Sequence, residues 1–352
     1  MRQVSVNSLK IGDVLGKTIY SSKGRVLLGK DVKLTPLYIG KLKDMGISIV
    51  YIEDERFDDV VPEDVITEQQ RWEAMELIEK SSQAVRLGKD MNGFELKSIV
   101  SKIVEEIMFK KDILVSLMDI RSRDNQMFAH AVNVCVLSTV LGKAMLLDKE
   151  KLETLAIGAL LHDVGKMQLE PELVCKNEDL TSKELERLKM HTSLGFDDLR
   201  KRKEFSIVVA HIAFQHHENL NGTGYPRQLK DAEIHPLAQI VGLTNLFDKL
   251  TTDNSGLKRV MPHEACEILM GLAGKVFPLE LVRVFLKNIA VYPTGVMVRL
   301  NTGEIGVVVD QNLSMPARPV VRVFEDMERN SSKGKEYNMI EHRTIFIDEV
   351  LS

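Results

Sequence analysis

From residue 67 to about residue 288, apolar side chains recur at i, i+3, i+4 and i+7, the period of helices that turn one face to a core. The pattern is clearest through Trp72 to Val85, Phe94 to Leu117, Met127 to Leu147 and Leu152 to Leu161. Breaks at Gly88 to Gly93, Leu147-Asp148, Gly165 to Pro171, Asn219 to Pro226 and Asp253 to Gly256 divide the stretch into at least eight helices. On either side the texture differs. Residues 4–6, 18–20, 25–28 and 47–52 are short apolar runs separated by Gly12, Gly16, Gly24 and Gly29, which predicts short strands and turns. Thr35-Pro36 opens a helix through Lys43, with Thr35 as N-cap and Pro36 in the first helical position. After Pro293, residues 295–300, 305–309 and 319–324 are β-branched runs, the first two joined by the hairpin-type turn Asn301-Thr302-Gly303-Glu304. The polar stretch Glu328 to Glu336 reads as a mobile loop, and Thr344 to Ile347 offers one more strand.

The expected fold is therefore mainly α: an all-helical bundle at 67–290 flanked by a small N-terminal α+β module at 1–55 and a small C-terminal β module at 291–352. An acidic linker is expected at 56–66, because Glu53 to Asp64 carries seven acidic residues among twelve and one proline. A length of 352 residues suits two or three domains, and no internal repeat is visible. The balance of 47 basic against 51 acidic residues gives a net charge of −4, which provides no positive field for a duplex nucleic acid. Cys135, Cys175 and Cys266 are far apart and form no paired framework, as expected in a reducing compartment. The longest apolar run, Ala131 to Leu141, is interrupted by Asn133, Ser138 and Thr139, so no membrane span is expected. The first residues alternate like a strand and lack a signal-peptide h-region, which predicts a cytoplasmic protein.

The histidines change the picture. His130, His162, His191, His211, His216 and His217 fall within 88 residues of the helical stretch. The intervals His130 to His162, Asp163 to His191 and His191 to His216 are 32, 28 and 25 residues, about one helix and its connection each. Successive helices can then aim one ligand each at a common centre, as helical bundles do when they hold metals. Imidazoles suit iron, manganese, zinc or nickel, and an aspartate that bridges suits a pair of hard divalent ions that activates water for attack on phosphorus. A lone core histidine is more often simply hydrogen-bonded, but His162-Asp163 places two polar groups together at the end of the apolar run Leu155 to Leu161. Lys166, three residues on, suits a phosphate contact or, equally, a lysine complementing a helix dipole. His216 and His217 would point about 100° apart on a helix and so face different ions. Gly222 and Gly224 permit close approach of backbone to a ligand, Tyr225 can stack or hydrogen-bond, and Pro226 prevents a helix from resuming. Taken alone, Gly-Thr-Gly-Tyr-Pro is also an ordinary tight loop.

Together, His162-Asp163-x-Gly165-Lys166 and His216-His217-Glu218 followed by Gly222-x-Gly224-Tyr225-Pro226 resemble the signature of the HD-GYP family, a branch of the HD metal-dependent phosphohydrolases. The likeness continues through Leu229, Ile234, Pro236-Leu237-Ala238 and Ile240 to Asp248-x-Leu250-Thr251, a motif core at about 124–272. The resemblance implies a bacterial signal-transduction hydrolase that binds two or three divalent metals, typically iron or manganese, and cleaves cyclic di-GMP to linear pGpG, with GMP following where a second cut occurs. It implies metal ligands at His130, His162, Asp163, His191, His216 and His217, with Asn245 a weak one. His162, Asp163 and Lys166 would be catalytic, and Lys166, Gly222, Gly224, Tyr225 and Pro226 would contact substrate. A homodimer and signalling protein partners are compatible with it.

The chain departs from the family pattern at five places. Gln126 stands where some members carry a glutamate for a third metal, which favours two. Asn245 stands for the last metal-binding aspartate, Asn221 for an aspartate of the loop, and Gln239 for an arginine. Asn254 to Leu257 replaces Arg-Pro-Tyr-Arg, with Lys258 and Arg259 close behind. These changes sustain two alternatives: a weakened or inactive signalling scaffold that keeps its metal cage, and a hydrolase of another phosphoester.

Overall fold

The computed structural model describes residues 1–20, 26–111, 113–116, 126–176, 180–252, 260–323 and 334–351. The chain divides into two compact units, one of residues 1–64, 114–126 and 289–352, the other of residues 65–113 and 127–288.

In the first unit, β1 (Arg2–Ser5) and β4 (Ile49–Ile52) pair antiparallel, as do β2 (Ile19–Tyr20) and β3 (Val26–Leu28). Between them runs α1 (Pro36–Asp44), its first turn capped by the Thr35 side chain on the Tyr38 N–H and its first position filled by Pro36. Val4, Val6, Leu15, Ile19, Leu34, Leu42, Ile47, Val50 and Ile52 form its core. The C-terminal residues form a five-stranded antiparallel sheet of β5 (Met297–Leu300), β6 (Ile305–Asp310), β7 (Val320–Val323), β8 (Glu336–Asn338) and β9 (Ile347–Leu351), in the order β8-β7-β6-β5-β9. β8 begins at Glu336, the last residue of the stretch expected to be a loop, because pairing with β7 and burial of Tyr337 organise it; residues 328–333 lie outside the described residues. The N- and C-terminal segments share this unit. The buried Arg322 guanidinium binds the Asp59 carboxylate at 2.8 and 2.7 Å and Glu336 at 2.9 and 2.7 Å, and the Gln3 N–H donates to Gly295 at 2.8 Å. Asp59 belongs to the acidic stretch predicted as a linker, whose Phe57 and Val60 are buried against Val307.

The second unit is helical throughout its regular structure: α2 (Glu68–Arg86), α3 (Gly93–Phe109), α4 (Gln126–Ala144), α5 (Lys149–Leu161), α6 (Pro171–Cys175), α7 (Ser182–Lys189), α8 (His191–Leu199), α9 (Ile207–Gln215), α10 (Pro236–Thr251), α11 (Pro262–Leu272) and α12 (Leu279–Lys287). Local signals set the ends. Thr67 and Gln70 form a capping box on α2, Asp148 caps α5, and Pro236 opens α10. α4 is long and apolar enough to cross a membrane by length and composition, but 78% of its apolar window is buried inside the protein, the mark of a core helix. Its buried surface includes His130 and Asn133. The Ser138 and Thr244 hydroxyls meet at 2.8 Å, tying α4 to α10 through the core.

Candidate metal centre

Three histidines follow helix ends. His162 comes directly after α5, His191 two residues after the end of α7, and His216 directly after α9. The last carbonyls of a helix lack intrahelical partners, and each imidazole fills one. Nδ1 of His162 bonds Ala159 O at 2.7 Å, that of His191 bonds Leu188 O at 2.7 Å, and that of His216 bonds Ala213 O at 2.9 Å. A carbonyl only accepts, so each Nδ1 carries the proton and each Nε2 keeps a bare lone pair. His130 reaches the same state differently, with Nδ1 2.6 Å from Oδ2 of Asp248 on α10.

These bare atoms converge on Asp163. Its Oδ2 lies 3.4 Å from His162 Nε2 and 4.0 Å from His130 Nε2, and its Oδ1 lies 3.2 Å from His191 Nε2 and 3.7 Å from His216 Nε2. The ligand atoms form two groups, His130, His162 and Asp163 in one and Asp163, His191, His216 and His217 in the other, with Asp163 common to both. His216 and His217 therefore fall in one group instead of facing two centres. The four Nε2 atoms, Asp163 Oδ1 and Asn245 Oδ1 are buried and make no hydrogen bond among the described residues. Six such atoms in one core would be costly to leave bare. Divalent ions ligated by imidazole and carboxylate satisfy them, and the orientation of each imidazole by a second partner is the usual support of such ligands. The donor set fits a metal site.

Electrostatics agree. Burial, aided by neighbouring imidazoles and lysines, holds His216 and His217 well below the ordinary imidazole value, and burial lowers His191 too. Burial brings His130 down to about 4 despite the Asp248 carboxylate. For Asp163, burial pushes up, but the Lys166 ammonium beside it outweighs this and holds the carboxyl well below its usual range. Neutral imidazoles around a charged carboxylate are the protonation states that metals require.

Lys166 places its ammonium 2.6 Å from Asp163 Oδ2. Gly165 lies against α8 so closely that a Cβ there would run into the His191 carbonyl, which fixes the His162-Asp163 turn relative to His191. The Gly222 to Pro226 loop is held from below by Glu218, whose buried carboxylate accepts from Arg227 N at 2.7 Å and Leu229 N at 2.9 Å. Gly222 adopts φ +76°, and a Cβ on Gly224 would collide with the His217 carbonyl. Tyr225, next to Pro226, packs on His217.

His211 stays apart, its ring on Phe196 at 5.3 Å. Gln239 is half-buried and bonds weakly to Asp231 O at 3.5 Å. Residues 254–259 lie outside the described residues. Two participants went unread in the sequence: Asp248 as the partner of His130, and Lys249, whose ammonium is brought down to about 8 by burial and by Lys166 and adds positive charge near Asp163. Asn133, polar inside the longest apolar run, was the available signal for the first.

Residues 115–281 match the family described as HD domain, and residues 297–352 match a KOW domain associated with HD domain. A cyclic di-GMP phosphodiesterase of Pseudomonas aeruginosa is 29% identical over 239 residues, 68% of this chain and 58% of the relative. A cyclic di-GMP phosphodiesterase of Thermotoga maritima is 31% identical over 196 residues, 54% of this chain and 53% of the relative. A 3'3'-cGAMP-specific phosphodiesterase of Vibrio cholerae is 32% identical over 148 residues, 42% of this chain and 34% of the relative. The matches thus span little more than half the length of the first two relatives. The solved structure of an HDG"Y"P protein from Bdellovibrio bacteriovorus superposes with a TM-score of 0.54 at 24% identity, over 80% of this chain and 97% of that one, which places the fold. The chain is thus similar to HD domains and to cyclic di-GMP phosphodiesterases, with the two segments that resemble the HD-GYP signature meeting at one buried centre.

Proposed function

We propose that this chain is a phosphodiesterase that hydrolyses cyclic di-GMP to linear pGpG, with GMP following only where a second cut occurs, at two iron or manganese ions. The ligands would be His130, His162, Asp163, His191, His216 and His217, with Asn245 a neutral, weaker one. The observation that carries the reading is the division of the Asp163 carboxylate, Oδ2 toward one histidine pair and Oδ1 toward the other. When bound, such an ion pair supplies Lewis-acid polarisation of a phosphoryl oxygen and a nucleophile at neutral pH. The residues of the chain do the rest. Asp163 and the Nδ1-anchored imidazoles hold the ligand geometry, Lys166 offers its charge to a phosphate, and Lys249 adds to the local attraction for a dianion. Tyr225, stacked on His217, and the Gly222 to Pro226 loop that carries it would contact the substrate. The unpaired thiols of Cys135, Cys175 and Cys266 support a place in the reducing cell interior.

The test is turnover by protein purified anaerobically and reconstituted separately with iron(II) and manganese(II), bound metal being counted in the same samples. Cyclic di-GMP and 3'3'-cGAMP are offered side by side, because relatives named for each nucleotide match this chain. Cleavage of cyclic di-GMP that disappears in His162→Ala and Asp163→Ala establishes the reading. Cleavage of 3'3'-cGAMP alone assigns the other phosphoester, and metal bound without cleavage of either assigns a signalling scaffold.

A further inference from the structure

We propose that Arg71 on α2 is a positioning residue that sets the orientation of His130 through a one-way chain of hydrogen bonds. Its link to metal binding rests on the ligand assignment above. The Arg71 Nη1 donates to Asn133 Oδ1 at 2.5 Å, Asn133 Nδ2 donates to Asp248 Oδ1 at 3.0 Å, and Asp248 Oδ2 meets His130 Nδ1 at 2.6 Å. Four side chains from α2, α4 and α10 are joined, and all but Arg71 are buried.

The polarity of this chain is dictated from its outer end. A guanidinium only donates, so the amide of Asn133 must turn its oxygen toward Arg71. Its NH2 must then face Asp248, which accepts as a carboxylate. The second carboxylate oxygen holds the proton of His130 on Nδ1, and Nε2 is left bare and aimed at Asp163. An amide has two ends of nearly equal shape and opposite hydrogen-bonding character. Without the guanidinium, the Asn133 amide loses the donor that holds its oxygen outward, and a flipped amide would set its oxygen against the Asp248 carboxylate. That carboxylate would then turn away from the amide oxygen, and His130 would lose the partner that fixes its tautomer. The three other oriented imidazoles are anchored to backbone carbonyls three residues back. His130 alone among these four is oriented by a side chain, and so it alone is sensitive to a residue on another helix.

The test uses the full chain with 15N-labelled histidine, in Arg71→Gln and Arg71→Lys. Arg71 is half-buried, so both changes are compatible with the folded bundle, and the urea midpoint is recorded as a check. In metal-free protein, the His130 ring signals, identified by their loss in His130→Gln, report an Nδ1-protonated tautomer in the parent. The Gln variant is expected to shift or broaden them and the Lys variant to restore them, since an ammonium also only donates. Manganese(II) affinity is expected to fall about 10- to 100-fold in Arg71→Gln and to recover in Arg71→Lys, as for other residues that orient metal ligands. Unmoved His130 signals in Arg71→Gln overturn the inference, whatever the metal affinity. Moved signals in a parent chain that binds no manganese uphold the positioning role and sink only the ligand assignment.

Discussion

The Tyr225 ring stacks on the His217 imidazole, with centroids 4.6 Å apart and 19° between the planes. Burial raises the Tyr225 phenol above its ordinary value, so it stays protonated at neutral pH, and the Lys189 ammonium sits 5.5 Å from the ring centroid. A loop residue thus holds a candidate ligand from the side, and aromatic pairs of this kind contribute about 0.5 to 1.5 kcal/mol. Tyr225→Leu should weaken manganese(II) binding about two- to tenfold by calorimetric titration, while Tyr225→Phe should match the parent. Equal affinities in the Leu and Phe variants would show that the stack does not orient His217.

Asn245 is buried on α10, one turn before Asp248, and its Oδ1 makes no hydrogen bond among the described residues. A carboxylate is a far better ligand for a hard cation than a neutral amide oxygen. Asn245→Asp should therefore tighten metal binding by about tenfold, in line with the roughly doubled strength of charge-assisted contacts. Unchanged metal content and affinity would mean that the position faces away from the ions.

Glu218 controls the loop that carries Tyr225. Replacing it by alanine leaves the N–H groups of Arg227 and Leu229 without their acceptor, and Leu229 is buried. Hydrogen bonds to charged groups contribute about 1.5 to 3 kcal/mol each. Glu218→Ala should lower the urea-derived stability of the helical unit by about that amount and open residues 219–229 to limited proteolysis. A parent-like digestion pattern would show that the loop closes without it.

The metal-free protein should lose stability on acidification. An unfolded imidazole titrates near 6.5, whereas His130 in the folded chain titrates at about 4. Between those values the unfolded chain binds a proton that the folded chain refuses, so stability falls as pH drops through this window. His130 alone accounts for about 2 kcal/mol between pH 7 and pH 5. His191, His216 and His217, also lowered, act in the same direction. Asp163, lowered in its turn, contributes stability that is lost only as pH falls through 3.8 and below, so it offsets none of this. Chelator-treated protein unfolded in urea at pH 7 and pH 5 gives the comparison, and equal midpoints would contradict the burial of neutral imidazoles.

Most of the helical period through residues 67–288, the Thr35-Pro36 start of α1 and the breaks at glycine and proline were legible because short-range forces decide them, but the run Phe94 to Leu117 overshot, since α3 ends at Phe109. The strand Glu336–Asn338 was not, since it depends on a partner strand, and a three-residue polar run carries no period of its own. The acidic stretch at 53–64 looked solvated by composition, yet Asp59 binds the buried Arg322, and Phe57 and Val60 pack on Val307. Composition records how many charges a segment has but not which distant cation meets them.

The sequence by itself determined the candidate chemistry: a histidine per helix, an aspartate beside one of them, and a glycine-rich loop after a histidine pair, all readable from residue type and spacing. Only the tertiary structure decided how those groups are used. That Asp163 is shared between two histidine groups, that His216 and His217 join one of them, and that His130 leans on Asp248 are contacts between residues separated by as many as 118 positions. The physical reason is directional. Helix formation answers to neighbours within four residues, whereas the aim of a lone pair depends on which partner holds the opposite ring nitrogen. Packing of α2, α4 and α10 is what brings Arg71, Asn133 and Asp248 to His130.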